Sequence, residues 1–310
     1  MIKKIRENNN VFGDNIAFIH EYDFSKANSS HNSRLNAVTE IATVCYASPD
    51  KIGSQGLYDR LANEDIGIPS SAFAFIPVLM DENIMNNFIF DEVEGEVIPD
   101  CFTFGEIISY NNKKYLLTNL RALLQDLGWT TDYKKAQELS EKYFNTSEED
   151  IVIIKKFYKV YKVKMDIATS KQWNRHNFHL QELSRRYVSG KKVPFDFYID
   201  EKMQKVESTQ VLNGRGFDDG YTNIECDLYT QDVIDICMNH YYSALEQGVK
   251  PQDARRIIPQ GAYTEIWTGI MPRVLDNMLK LRTKPKTQWE FRQLALQIAE
   301  WEGWSEQTNL

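Results

Sequence analysis

The chain has 310 residues, 42% of them hydrophobic and 12% aromatic, enough to bury a full core in one large domain or two small ones. Its 36 Lys and Arg against 44 Asp and Glu leave a net charge of −8, which argues against a general nucleic-acid binder, because affinity for a polyanion needs a surplus of cations. An anionic ligand therefore needs a local basic pocket. Cys45, Cys101, Cys226 and Cys237 lack Cys-x-x-Cys spacing and paired histidines, so no metal site or redox pair is expected and the thiols read as reduced and buried. No apolar run follows Lys3, Lys4 and Arg6, so no secretory signal is expected. Nowhere do eighteen apolar residues run together, so no membrane span is expected and a cytoplasmic setting follows by default.

In chain order, residues 1–34 suggest an opening strand around Ile16 to Ile19 and then loop. Ala37, Ile41, Val44 and Cys45 recur at helical spacing and predict an amphipathic helix over 36–48. Residues 72–79 alternate large and small apolar groups and predict a strand, with Pro77 at an edge or end. An acidic stretch from Asp81 to Asp100 precedes helices predicted at about 115–127, stopped by Gly128, and at about 132–144. Val163 to Ile167 alternates as a strand. Lys155, Lys156, Lys159, Lys162 and Lys164, interleaved with Phe157, Tyr158 and Tyr161, read as the solvated face of that strand rather than as a nucleic-acid patch. Val193 to Ile199 is a further strand candidate.

The last third reads as helical. Val233, Ile236, Cys237, Tyr241, Ala244 and Leu245 form one stripe closed by Gly248. Pro251 opens a short helix through Ala254, Arg255 and Ile258 that Pro259 helps to end. Ile270, Val274, Met278 and Leu281 form the next stripe, and a last helix runs from about Thr287 to Trp301.

The chemistry concentrates in Lys171-Gln172-Trp173-Asn174-Arg175-His176-Asn177-Phe178-His179-Leu180-Gln181-Glu182-Leu183-Ser184-Arg185-Arg186-Tyr187. Arginine forks match phosphate oxygens two bonds at a time, and Gln172, Glu182 and Ser184 can read the polar edge of a planar ring, so a nucleotide is the natural guest. Were this segment wholly helical, Gln172, Arg175, His179, Glu182 and Arg186 would share one face, and a solvated helix with internal ion pairs would be the bland alternative. A second cluster runs Ala254-Arg255-Arg256-Ile257-Ile258-Pro259, then Ala262-Tyr263-Thr264-Glu265, Arg273, Asn277 and Leu281-Arg282, followed by Gln288-Trp289-Glu290-Phe291-Arg292.

These two blocks, in this order, resemble the flavin-dependent thymidylate synthases. Their signature runs Arg-Gln-Trp, one residue, Arg-His-Arg, seven residues, Ser, then Arg-Tyr, and later Ala-Arg, three residues, Pro, then Tyr-Thr and a helix ending in Leu-Arg. Ile41 to Ser48 also resembles the family's early Ala-rich helix. The resemblance implies an α+β fold with a mixed sheet and a helical C-terminal half, as a single domain over 1–310 with an insertion at about 80–155. It implies a methyltransferase of nucleotide biosynthesis that converts deoxyuridylate to thymidylate with FAD, NADPH and methylenetetrahydrofolate, as a homotetramer whose sites are shared between subunits. Its substrate residues are Gln172, Arg175, Glu182, Leu183, Ser184, Arg185, Arg186, Tyr187, Arg255 and Arg282. Arg186 and Arg255 suit the phosphate. Of the two catalytic positions, Arg282 polarises the pyrimidine carbonyl and Ser184 is a ligand of the nucleotide rather than an activated nucleophile. Arg175, His176, Asn177, Phe178, Glu182, Arg273 and Asn277 are the flavin-binding positions.

The chain departs from the family pattern at definite places. Asn177 replaces an arginine, one residue is missing before Ser184, Gly67 to Ser71 stands where the family has Gly-His, and Met271-Pro272-Arg273 replaces Asn-x-Arg. Thr118-Asn119-Leu120-Arg121 supplies an Asn-x-Arg elsewhere, the plainer reading being an amphipathic helix with an exposed Arg. His179, with an ordinary pKa near 6.5, is a stand-in for the missing imidazole or a structural histidine. His20, His31 and His240 are isolated. Alternatives left open are a methylase or hydroxymethylase of another pyrimidine monophosphate, such as deoxycytidylate, and a flavin-free nucleotide-binding relative.

Overall fold

A computed structural model describes residues 17–21, 24, 27–62, 70–91, 98–129, 131–144, 147–176, 179–199, 201–204, 206–215 and 221–305. The chain opens with β1 (Ala17–Glu21), α1 (His31–Tyr46) and α2 (Gln55–Ala62), then β2 (Pro77–Asp81), α3 (Glu82–Asp91) and α4 (Asp100–Thr103). It continues through β3 (Glu106–Tyr110), β4 (Lys113–Asn119), α5 (Leu120–Asp126), α6 (Tyr133–Ser140) and α7 (Glu148–Phe157) to β5 (Lys159–Asp166), α8 (Ile167–Trp173) and β6 (His179–Glu182). The remainder is α9 (Glu201–Gln204), the hairpin β7 (Glu207–Arg215) and β8 (Tyr221–Tyr229), α10 (Thr230–Glu246), α11 (Pro251–Ala254), β9 (Tyr263–Ile270), α12 (Pro272–Arg282) and α13 (Trp289–Glu302).

The strands form sheets of order β1-β5-β9-β6, β2-β4-β3 and β7-β8. Every described strand pair is antiparallel, so the α+β class holds with antiparallel sheets in place of a mixed one. Side chains alternate along β5 and β9, and the alternation divides two cores. Tyr161, Val163, Met165, Ile266 and Ile270 face Leu275, Met278, Phe291, Leu294 and Ile298 of α12 and α13. On the opposite side, Val160 and Trp267 join a larger core that runs without a break from α1 through β2 and β4 to α5 and α7. A third, small cluster holds α10 against residues 195–199 and 254–258.

Several predicted elements move. Residues 71–75 form a 3-10 turn, with the Ser70 hydroxyl accepting from the Ala72 N–H, and the strand begins only at Pro77, a first-residue position where its missing N–H costs no ladder bond. Ala72, Phe73, Phe75, Ile76, Val78 and Leu79 are all buried, so the segment carries no exposed face from which a period could be read. The helix expected at 115–127 is β4 followed by α5, because Asn119 caps α5 by accepting from Ala122 N–H at 3.0 Å. The helix expected at 36–48 starts earlier, at His31, where Ser30 accepts from Ser33 N–H. The helix at 132–144 is α6 plus a 3-10 turn, capped by Asp132. Residues 193–199 form no strand; only Phe197 bridges to Ala262. The helical last third is interrupted by β9, paired on both sides by β5 and β6. The opening strand is present as β1, and Ile16 lies outside the described residues.

The lysines of β5 are paired rather than solvated. Lys162 meets Glu265 at 2.7 Å, Lys164 meets Asp196 at 3.8 Å, and Lys159 meets Glu302 at 3.1 Å. Glu302, on α13, also accepts from the Tyr161 hydroxyl at 2.5 Å, so one 9%-exposed carboxylate clamps the last helix to the sheet. Glu302→Ala removes both the ion pair with the largely buried Lys159 and the acceptor of the Tyr161 hydroxyl and is expected to cost roughly 2 kcal/mol, seen as a lower urea midpoint at unchanged slope. An unchanged midpoint would show the clamp to be energetically idle. Cys45, Cys101 and Cys237 are free thiols, of which Cys101 alone is fully buried; the Cys226 side chain lies outside the described residues. Among the described residues no helix is long and apolar enough to cross a membrane.

Candidate active site

The Gln172 to Tyr187 segment is not one helix. Asp166 starts α8 by accepting from Thr169 N–H at 2.9 Å and from its hydroxyl at 2.6 Å. Trp173 ends it, fully buried, with its indole N–H donated to Thr268 on β9 at 2.9 Å. Anchored at both ends, the helix hands the chain to a turn over 174–176. That turn meets the C-terminus of α12 and the first turn of α13.

At this junction Arg282 Nε donates to His176 Nε2 at 2.8 Å, and the guanidinium carbon lies 4.7 Å from the centre of the Phe291 ring. The same ring meets His176 edge-on, with centroids 5.6 Å apart at 86°. Arg282 is therefore held from two sides, by an acceptor and by an aromatic face. Burial first, and the Arg282 charge second, push the His176 pKa down to about 4, so the imidazole is neutral at pH 7. Because the arginine nitrogen can only donate, Nε2 must carry the lone pair and Nδ1 the proton. Burial, and then the exposed Arg175 beside it, lower the Arg282 pKa, yet a guanidinium stays charged. Gln172 donates its amide to Gln288, the residue before α13. Two cations, two amides and a neutral imidazole thus converge within one chain.

Glu182 stands behind the turn. Its partner across β6 and β9 is Ile266, which puts its side chain on the α8 side of the sheet. Burial raises its pKa against hydrogen bonds from Thr264, Ser170 and Asn174. Cys45 at the end of α1 donates its thiol to Glu182 O at 2.9 Å and accepts from Ser184 N–H at 3.3 Å through its own carbonyl, bracing the strand end.

The other expected residues are placed differently. Arg185 donates to Val193 O at 2.5 Å and Pro194 O at 3.3 Å and lies 3.9 Å over Phe195, so its fork is taken up in clasping the loop. Leu183 and Arg185 line a cavity of ≈ 380 Å3 between α1 and the sheet, on the face away from Arg282. Arg186 is exposed over Tyr187, which is 57% exposed and leans on Tyr46. Ser184 accepts from Tyr187 and Val188 N–H through its carbonyl. Arg255 is exposed on the turn after α11. Asn177 and Phe178 lie outside the described residues, as do Gly67 to Pro69.

Arg273 and Asn277 are exposed, one turn apart on α12. Arg282 is nine residues beyond Arg273, half a turn round and roughly 13 Å along the axis at 1.5 Å per residue. The two halves of the expected flavin set therefore face away from each other within one chain. Thr118-Asn119-Leu120-Arg121 does not restore a matching pair, since Asn119 is buried as the cap of α5.

Two contributors carry no sequence signal of their role. Phe291 was legible only as part of the Gln-Trp-Glu-Phe-Arg block, yet it forms the floor under Arg282. Glu106, from β3, accepts the backbone N–H of Arg273, and burial raises its pKa against the attraction of that arginine. It ties the start of α12 to a strand more than 160 positions earlier in the chain, beyond the reach of any local pattern.

The protein family described as thymidylate synthase complementing protein matches residues 153–302, the span that holds the whole Arg282 junction. Over residues 153–302, just under half of its length, the chain is similar to this family. A flavin-dependent thymidylate synthase of Thermosipho africanus is 31% identical over 138 residues, 44% of this chain and 59% of the relative. One from Thermus thermophilus is 32% identical over 159 residues, 50% of this chain and 54% of the relative. The chain thus spans little more than half the length of these curated thymidylate synthases. Among solved structures, a UMP/dUMP methylase, PolB, from Streptomyces cacaoi bound with 5-Br dUMP aligns over 47% of this chain and 67% of its own, at 20% identity and a TM-score of 0.34. Arg121 and Glu106 both lie outside the residues that the thymidylate synthase family matches.

Proposed function

We propose that this chain is a flavin-dependent thymidylate synthase that methylates deoxyuridylate, with methylenetetrahydrofolate as carbon donor, NADPH as reductant and FAD as cofactor, acting in the cytoplasm as a homotetramer. The observation that carries this reading is the Arg282–His176–Phe291 junction with Arg175 beside it, lying inside the family-matched span. Two adjacent guanidinium groups repel one another and so favour an anionic guest between them.

In this reading Arg282 faces the pyrimidine carbonyl and stabilises the negative charge that develops on its oxygen as the ring reacts. His176 keeps the guanidinium aimed by accepting from Nε, and its neutrality adds no competing positive charge. Arg175 and Gln172 hold the nucleotide beside it, and Glu182 supports the turn that carries them. Arg186 and Arg255, exposed and outside this junction in one chain, reach the phosphate through a neighbouring subunit.

The donor set fits a flavin nucleotide only across subunits: Arg175 with His176 offers one exposed group of donors, and Arg273 with Asn277 another that faces away from it. A site using both takes one set from each of two protomers. Bound flavin supplies the hydride chemistry of the reaction. Residues 80–155 read as an insertion peculiar to this chain, tied to α12 through Glu106.

The deciding experiment incubates FAD-loaded protein with NADPH, methylenetetrahydrofolate and, in separate reactions, each pyrimidine monophosphate, and weighs the nucleotide products. Thymidylate from deoxyuridylate is the expected outcome. Bound flavin with no product from any nucleotide would overturn the enzymatic reading.

A further inference from the structure

Across β6 from the Arg282 junction lies a second polar cluster that the nucleotide reading leaves unused. His179 and Gln181 pair with Gly269 and Trp267 of β9, so both side chains face the larger core rather than α8. The His179 ring lies 6.4 Å from that of Phe75, and Gln181 accepts the Ser71 hydroxyl, both partners belonging to the 3-10 turn at 71–75. α5 packs on the same turn and brings Arg121 to His179, whose pKa is pushed down to about 4 by burial first and the Arg121 charge second.

Arg121 is the anomaly here. Its Nε is buried and makes no hydrogen bond, and among the described residues no carboxylate or carbonyl is bonded to its guanidinium. An orphaned N–H on a partly buried guanidinium is unfavourable, and packing alone does not call for it. The neighbour the electrostatics give it is the neutral imidazole of His179, and no ion pair to Arg121 is found among the described residues. Gly269, opposite His179 on β9, lets the Tyr158 hydroxyl and the His179 Cβ pack directly on its backbone, because a Cβ there would collide with that hydroxyl and press on His179 Cβ at 3.3 Å, so the imidazole is held in place.

We propose that Arg121 and His179, with Gln181 on the same face of β6, form an oxyanion site opposite the Arg282 junction, taking the carboxylate or phosphate group of a small-molecule ligand. Arg121 supplies the charge and a planar pair of N–H donors, and His179 and Gln181 supply neutral donors that fix orientation. An anion docked there satisfies the orphaned Nε and offsets the Arg121 charge, which adds to burial in keeping His179 unprotonated. The site does not depend on what binds at Arg282, and the family-matched residues contain only half of it.

The test follows the His179 ring by NMR in the full chain with labelled histidine, adding inorganic phosphate in one series and glutarate in another. A saturable shift of the His179 signal is expected with at least one anion, together with a rise of its pKa by about one unit as the Arg121 charge is neutralised. The series that saturates at lower concentration tells phosphate from carboxylate. Arg121→Ala should weaken the response at least tenfold; Arg121→Lys, which keeps the charge and the fold, should weaken it less. Arg282→Ala should leave it unchanged, separating this site from the nucleotide site. No saturable shift with either anion, or an equal response in Arg121→Ala and Arg121→Lys, overturns the proposal. Should Arg121→Ala fail to fold, the Arg121→Lys response together with calorimetric titration of His179→Gln decides it.

Discussion

Replacing Arg282 by Ala is expected to lower turnover of deoxyuridylate by about 100- to 1000-fold, as loss of one preorganised charge donor does elsewhere, while its dissociation constant rises less than tenfold. The asymmetry follows from the geometry. Arg282 is held by His176 and Phe291 independently of any ligand, so in the proposed reaction it meets charge that appears during turnover, whereas Arg175 and Gln172 are the groups proposed to hold the nucleotide. His176→Gln retains an acceptor for Arg282 Nε and should keep most of the activity, while His176→Leu, which cannot accept, should lose it. Steady-state rates beside equilibrium binding make the comparison. Equal losses in rate and affinity would make Arg282 a binding residue only, and unchanged rates would remove it from the mechanism.

The second large effect is on stability at mildly acidic pH. His176 and His179 both have folded pKa values near 4, against about 6.5 in an unfolded chain, so below pH 6.5 the unfolded state binds protons that the folded state refuses. Their neutral forms are accommodated without penalty above pH 6.5, and stability is lost as pH falls from there toward 4. Each histidine contributes up to about 1.4 kcal/mol of loss per pH unit, large against a whole-domain stability of roughly 5–15 kcal/mol. Glu106, Glu182 and Asp126, whose pKa values burial raises, act in the opposite sense, because acidification relieves their buried charge. Urea midpoints at pH 7.5, 6 and 5 separate the contributions: His179→Gln should flatten the acid limb, and the double replacement with His176→Gln should flatten it further. Identical limbs in wild type and double variant would show that neither histidine is buried neutral. The same shift removes His179 as a proton carrier at neutral pH, a role its ordinary pKa had suggested.

The two outcomes share a cause. Arg282 and Arg121 each sit against a histidine on opposite faces of the same sheet, and each charge helps to hold its imidazole neutral. The faces differ in what completes them. Arg282 has an acceptor and a ring beneath it, whereas Arg121 has a buried nitrogen with nothing to donate to.

Where a segment had one wet face and one dry one, its pattern was readable. α1, α6 and α13 lie close to where helical spacing placed them, and caps such as Ser30 and Asp132 account for their true starts; α10 is a helix as expected, but its buried face is Ile234, Met238 and Tyr241, while Val233 and Ile236 of the expected stripe are exposed. Where a segment was dry on every side the pattern failed, as at residues 71–79, and where a strand ran straight into a helix the join was invisible until Asn119 was seen as a cap. β9 was lost for a related reason. It is flanked by strands on both edges and covered on both faces, so it lacks the polar alternation that marks an exposed strand.

By itself the sequence determined the residue types and their order: the arginine, histidine and amide spacing of 172–187, the Leu281-Arg282 helix end, and through them the likeness to thymidylate synthases. Only the tertiary structure decided which of those groups meet. It joined Arg175, His176 and Arg282, turned Arg185 into a loop clasp, set Arg273 half a turn away from Arg282 on one helix, and placed Arg121 beside His179. The reason is that the direction of a side chain depends on helix phase and strand register, which are settled by distant packing partners such as Trp173 on Thr268 and Glu302 on Lys159.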